Sequence, residues 1–182
     1  MPRSRCRKPN WTQLSQRGDR CHVEDAVVNE IIYDESESVI LIERVPDRPG
    51  AAAIVFSAIA SGGLNIDTIA HVGSTANLGR TDLLFSLPSR DGARAIEILQ
   101  GDRERIGFER VALHDRVGKI TLIGSGLKSH PAVAARFFAA LAAANLNIQI
   151  ISTSEIRIAI FADRESCLGA MQLLRREFGL SA

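Results

Sequence analysis

This 182-residue sequence predicts an α+β fold of two βαββαβ units, the first nested in the second. Three observations predict it. Residues 49–69 return as residues 131–151, with ten of twenty-one positions identical: Pro49, Ala52, Ala53, Phe56, Ala58, Ala60, Leu64, Asn65, Ile66 and Ile69 in the first copy. Similarity at a fixed offset, here 82 positions, marks a duplicated structural unit. Runs rich in β-branched residues flank both copies in the same order. Finally, the second copy stops before its sheet can close, while a strand-like segment without a partner precedes the first.

Taken in order, "VVNEIIYD" (Val27 to Asp34) and "ESVILIERV" (Glu37 to Val45) read as strands. "DRPG" ends the second of these and opens a helix, since Pro49 is pre-set for a first helical turn. The helix runs through "AAAIVFSAIA", and "NIDTI" leads into the next strand. "GSTANLGR" is a long loop marked by Gly73, Asn77 and Gly79. "TDLLFSLP" is a strand, "SRDGARAIEILQ" a capped helix and "RIGFERVALHD" a fourth strand. The second copy repeats this with "GKITLIGSG", "HPAVAARFFAALAAANLNIQII", "EIRIAIFA" and a helix in "DRESCLGAMQLLRREF", capped by Asp163. Between "TDLLFSLP" and "EIRIAIFA" the offset falls to 74, so the first copy carries eight extra residues in its long loop. Only "GLSA" comes after the last helix, too little for a strand. The segment at Val27 therefore completes the second sheet, which would otherwise expose an unpaired edge. Each unit is a ferredoxin-like plait. The expected organisation is a disordered basic tail over 1–26, a strand over 27–36 belonging to the second unit, the first unit over 37–115 and the second over 116–182.

Composition narrows the function classes. A hydrophobic fraction of 46% with 24% charged residues suits a globular domain able to bury a core in water. No apolar run reaches the roughly 20 residues of a membrane span, and the first 25 residues hold no apolar block for a secretory signal. A cytoplasmic protein with no membrane partner is expected. Cys6, Cys21 and Cys167 show no paired metal or redox spacing and read as free thiols, so neither a metal nor another cofactor is expected. A net charge of +1 gives no general attraction to nucleic acid. The exception is local: Arg3, Arg5, Arg7, Lys8, Arg17 and Arg20 oppose the single acid Asp19. That stretch reads as a disordered tail, with a nucleic-acid or partner-binding arm as the alternative.

The repeated turn carries the chemistry. At a helix start, Gly50 and the small Ala51, Ala52 and Ala53 leave backbone N–H groups bare, and such a terminus accepts a carboxylate. Asp47 beside it supplies a charge for an ammonium, so the pair suits a zwitterionic amino acid. The same residues also suit a plain turn with Asp47 ahead of Pro49 and close helix-to-sheet packing, and the sequence leaves both open.

The stretches "YDESESVILIERVPDRPGAAAIVFSAIA", "LNIDTI", "RTDLLFSLP" and "VGKITLIGSGLKSHPAVAARFFAALAAANLNIQIISTSEIRIAI" resemble the tandem ACT regulatory region of aspartokinase, over roughly residues 27–180. They look most like the separately translated β subunit of that family. The resemblance implies a regulatory chain without kinase activity of its own, a homodimer, an association with a separate kinase α subunit, and effector sites for threonine, lysine or both. Those sites are implied where the first unit of one chain meets the second unit of another. First-unit contacts fall on Asp47, Gly50, Ala52, Asn65, Ile66, Asp67 and Ser74, and second-unit contacts on Asn147, Ile148, Ser154 and Glu155. The chain departs from the family pattern at His71, Val72, Ala134 and Gln149, where Gln, Asn, Thr and Glu are usual. His71 either donates to an effector, as the Gln would, or ends a hairpin without touching one.

Other classes fare worse. An RNA-binding plait displays aromatic residues on its central strands, yet aromatics are 5% of this chain. A hydrolase needs an activated nucleophile, and His22, His71, His114 and His130 have none at telling spacing; His130 reads as a turn histidine before Pro131. A stand-alone ACT sensor regulating a different partner is the remaining alternative.

Overall fold

The computed structural model describes residues 27–73, 79–127 and 130–180, so the expectations for the tail, for Cys6 and Cys21 and for Ser74 lie outside the described residues. The chain runs β1 (Val27–Asp34), β2 (Glu37–Pro46), α1 (Ala51–Ser61), β3 (Ile69–Gly73), β4 (Arg80–Pro88), α2 (Gly92–Gly101), α3 (Arg103–Ile106), β5 (Arg110–His114), β6 (Val117–Ser125), α4 (Pro131–Ala143), β7 (Ile148–Thr153), β8 (Arg157–Asp163) and α5 (Arg164–Phe178).

Two four-stranded antiparallel sheets form, in the orders β3-β4-β2-β5 and β1-β6-β8-β7. Written from the other end, the second order places β7, β8 and β6 where the first has β3, β4 and β2. The place of β5 is taken by β1, from the other end of the chain. This pairing, in which Ile31 lies opposite Leu122 and Tyr33 opposite Ile120, makes the fold a nested one. Gly118 makes room for it. A Cβ there would lie 2.7 Å from Tyr33 and 2.9 Å from the Sγ of Cys167. Cys167 is a buried free thiol whose pKa burial pushes up to about 11, which keeps it protonated and inert at neutral pH.

Strand alternation builds three cores. Ile40, Ile42, Leu83 and Phe85 face α1 and α2, and Ile120, Leu122, Ile158 and Ile160 share a second core with Phe137 and Leu141 of α4 and Leu174 of α5. The residues between them point the other way. Val39, Val117, Ile150 and Phe161 pack together with Ala70 and Leu84, so the backs of the two sheets meet. Central strands buried on both faces read as continuous apolar runs, which explains "IAIFA" on β8.

The repeat holds at fine detail. Gly63 (φ 73°) and Asn145 (φ 54°), 82 positions apart, both turn the chain left-handed after their helices, a conformation that Gly and Asn reach most easily. Asp163 caps α5 as expected, its Oδ1 accepting from the N–H of Glu165 at 3.1 Å. Two local expectations are corrected. α2 has no side-chain cap and is entered through a 3-10 turn over Ser89–Asp91, because the Ser89 hydroxyl is engaged by Ser38 at 2.9 Å. "RIGFERVALHD" is a strand only from Arg110, since its first residues end α3 at a left-handed Gly107 (φ 80°). Among the described residues no helix is long and apolar enough to cross a membrane.

Candidate functional site

At the end of β2 the chain turns through Pro46 to Gly50 and enters α1. Asp47 is exposed there, and its N–H donates to the Gly79 carbonyl at 2.8 Å, which ties the turn to the chain entering β4. Gly50 caps the helix at φ 90°, a left-handed conformation that a side chain would strain. Inside the first turn, the N–H of Ala51 donates to Arg48 O and that of Ile54 to Gly50 O, both at 3.1 Å. For the N–H groups of Ala52 and Ala53 there is no backbone carbonyl partner among the described residues. A carboxylate and open N–H donors thus share one end of the first unit.

His71 lies on β3 toward that same end. Its Nε2 is 2.9 Å from the hydroxyl of buried Thr81, so the ring is already engaged across the strand pair. Asn65, Ile66 and Asp67 are elsewhere. Asp67 N–H donates to Ser86 O, whereas Asp47 donates to Gly79 O. Seven residues separate those two acceptors, roughly 23 Å at the usual rise of a strand. One amino-acid ligand cannot touch Asp47 and Asp67 of the same chain. The physical reason is helix length, since α1 carries the chain from one end of the sheet to the other before Asn65.

Asp67 has its own partner. Lys119 of β6 donates to Asp67 Oδ2 at 2.6 Å and to Glu37 Oε1 at 2.8 Å, and its Nζ stands 5.6 Å from the centre of the Phe161 ring. The hydrogen bond from Lys119 holds the Asp67 carboxyl below its ordinary value against the opposing effect of burial. Burial works to lower Lys119, yet the bonds from Asp67 and Glu37 outweigh it and the net shift is upward. Sequence reasoning missed this cluster, although a lysine inside the apolar run "VGKITLIG" was its visible signal.

The second unit repeats the geometry. Ser154 and Glu155 form the β7–β8 hairpin and, with Leu127, Ala134, Thr153 and Ile158, line a mostly apolar pocket of about 380 Å³. Ala134 is the repeat equivalent of Ala52, so this pocket occupies the place that the Asp47 turn occupies in the first unit. Asn147 and Ile148 stand at the opposite end of β7, six or seven residues from Ser154. His130 precedes α4, and its Nδ1 lies 3.0 Å from Gly126 O, the position of a turn histidine. Among the described residues no cluster of His, Cys, Asp or Glu could hold a metal ion.

Two nested plaits with a ligand-sized opening at a helix start define the class of tandem ACT proteins, and residues 120–178 match the sequence pattern of an ACT domain. Over 158 residues the chain is 41% identical to an aspartokinase of Mycolicibacterium smegmatis, covering 87% of this chain and 38% of that protein. A crystal structure of aspartokinase alpha and beta subunits has a chain 34% identical at TM-score 0.77, with 85% of this chain and all of that one aligned. The ligand-free regulatory subunit of aspartate kinase from Thermus thermophilus is 32% identical at TM-score 0.78, over 84% and 99% of the two chains. The chain belongs to the aspartokinase family, in its regulatory ACT region, and spans 38% of the length of the curated aspartokinase it matches.

Proposed function

We propose that this chain is the non-catalytic, allosteric regulatory subunit of an aspartate kinase. It binds threonine, lysine or both and gives feedback control in aspartate-family amino-acid biosynthesis. It works in the cytoplasm as a homodimer beside a separate kinase α subunit. The observation that carries the reading is exposed Asp47 beside the open first turn of α1. An amino acid sets its ammonium against Asp47 and its carboxylate at the N–H groups of Ala52 and Ala53, where the helix dipole favours negative charge.

A second chain accounts for the separation of the two clusters. β3 and β7 are edge strands, and the repeat-equivalent Ile69 and Ile151 on them are 55% and 52% exposed. Antiparallel pairing of β3 with the partner's β7 sets the Asp47 and His71 end beside the partner's Asn147 and the partner's Ile148. The same pairing sets Asn65 to Asp67 beside the partner's Ser154 and the partner's Glu155. An effector that bridges the chains favours one quaternary arrangement, and a coupling of about 1–3 kcal/mol suffices for feedback.

Calorimetry with threonine and with lysine tests this. Asp47→Ala removes the charge that meets the ammonium and lowers affinity roughly ten- to a hundredfold. Unchanged affinity in that variant removes Asp47 from the site.

A further inference from the structure

We infer that Arg80 is a positioning residue for the Asp47 turn, a clamp that holds a strained bulge of β2 in place so that Asp47 meets the effector. The inference rests on the reading that Asp47 takes the effector's ammonium. The register between β2 and β4 shifts between Ile42 and Val45, so the strand bulges at Glu43 and Arg44 just before the turn. Arg44 sits at φ 57°, a left-handed conformation that an arginine adopts only when its surroundings enforce it. Bulges re-aim the chain beyond them, and the chain beyond this one carries Val45, Pro46 and Asp47.

The enforcing contacts come from β4 and its approach. Arg80 Nη1 donates to Arg44 O and to Gly107 O, both at 2.6 Å, and the Arg44 N–H donates to Asp82 Oδ1 at 2.8 Å. Arg80 is also the cross-strand partner of Pro46, and a Cβ on Gly107 would lie 3.2 Å from the Pro46 ring. One guanidinium therefore joins the bulge, the α3–β5 turn packed on Pro46, and the strand start next to Gly79. The Gly79 carbonyl in turn receives the Asp47 N–H at 2.8 Å. Charge-assisted bonds to two carbonyls fix a backbone that intrinsic preference would relax. Relaxing the bulge by one residue would redirect Asp47 away from the first turn of α1.

Amide hydrogen exchange on the whole chain tests the clamp without any ligand. In Arg80→Met the amides of Arg44 and Asp47 exchange about tenfold faster or more, while those of Ile40 and Phe85 farther along the ladder keep their protection. Arg80→Lys, whose ammonium can still donate to both carbonyls, retains most of the protection. Unchanged exchange at Arg44 and Asp47 in Arg80→Met overturns the inference, and so does faster exchange along the whole β2–β4 ladder, which marks a merely structural arginine. Calorimetry with threonine and lysine adds a cycle: Arg80→Met weakens binding about five- to tenfold in the native background and adds nothing once Asp47 is alanine. Additive losses overturn the inference. If the native chain binds neither amino acid, the reading of Asp47 as an effector contact fails, and the exchange pattern still decides the clamp.

Discussion

Lys119 joins the two units by its bonds to Glu37 and Asp67. Its side chain is 11% exposed, Glu37 is 12% exposed and Asp67 40%, so the first pair is largely desolvated and the second is half open to water. The other oxygen of Glu37, Oε2, is buried without a partner among the described residues, which makes the glutamate depend on Lys119 for neutralisation. Lys119→Met leaves that charge uncompensated. Removing one member of a fully buried pair costs about 3–5 kcal/mol, and solvent screening at Asp67 reduces the expectation to about 1–3 kcal/mol. Urea unfolding of the two proteins at neutral pH measures it. The pH dependence has a definite sign. The folded-state pKa of Asp67 is lowered, so its contribution is present above the ordinary aspartate value and is lost as pH falls through the folded one. Lys119 is raised, so its contribution is present below the ordinary lysine value and is lost as pH rises through the folded one. The gap between native and Lys119→Met is therefore widest between the two ordinary values and narrows in stronger acid. Equal stability of both proteins at pH 7 would show that the cluster contributes nothing.

At the scale of elements, the second sheet depends on a strand contributed from outside its own segment of chain. Deleting residues 1–34 removes β1, and with it Ile31 and Tyr33 from the core under α5. Hydrogen exchange should then quicken through β6, β8 and β7 while β2 and β4 keep their protection; loosening of the first sheet instead would contradict the nested pairing. Much of this architecture was legible in the sequence, because strands and helices announce themselves through periodicity and the repeat let each copy check the other. The missing closing strand pointed to Val27–Asp34 by elimination. What was not legible depended on contacts between distant segments. Lys119 stood out as a charge in an apolar run, but its partners lie 82 and 52 residues away. Val39, Val117 and Phe161 read as ordinary strand residues, with nothing local to show that the sheets pack back to back. Arg80 looked like a loop residue until the bulge at Arg44 gave its guanidinium two carbonyls to hold. The geometry of the candidate site was half legible: the turn into α1 at Asp47 to Gly50 could be read from "DRPG", whereas the distance to Asn65–Asp67 required carrying α1 along its length of roughly 16 Å.

For the whole molecule, the exposed Ile69 and Ile151 on the edge strands β3 and β7 set the expectation of a dimer through unlike units. Ile69→Lys places a charge on one edge and Ile151→Lys on the other, and either should shift the chain toward monomer at micromolar concentration in light scattering. A native chain that is already monomeric at that concentration, with and without amino acid, would remove the shared interface. On the proposed function, each effector is held jointly by the Asp47 turn of one chain and the Asn147 end of its partner. Mixing two variants that fail alone separates this from a site within one chain. Asp47→Ala removes the ammonium contact, and Asn147→Arg, at an exposed position, blocks the same site from the other unit. At effector concentrations near the native dissociation constant, either variant alone should bind less than about a fifth of the threonine or lysine that the native chain binds in calorimetry. After subunit exchange in an equimolar mixture, each mixed dimer contains one site with both halves native, so roughly a quarter of the native binding capacity should return. A mixture that binds no better than its components would contradict a site shared between chains.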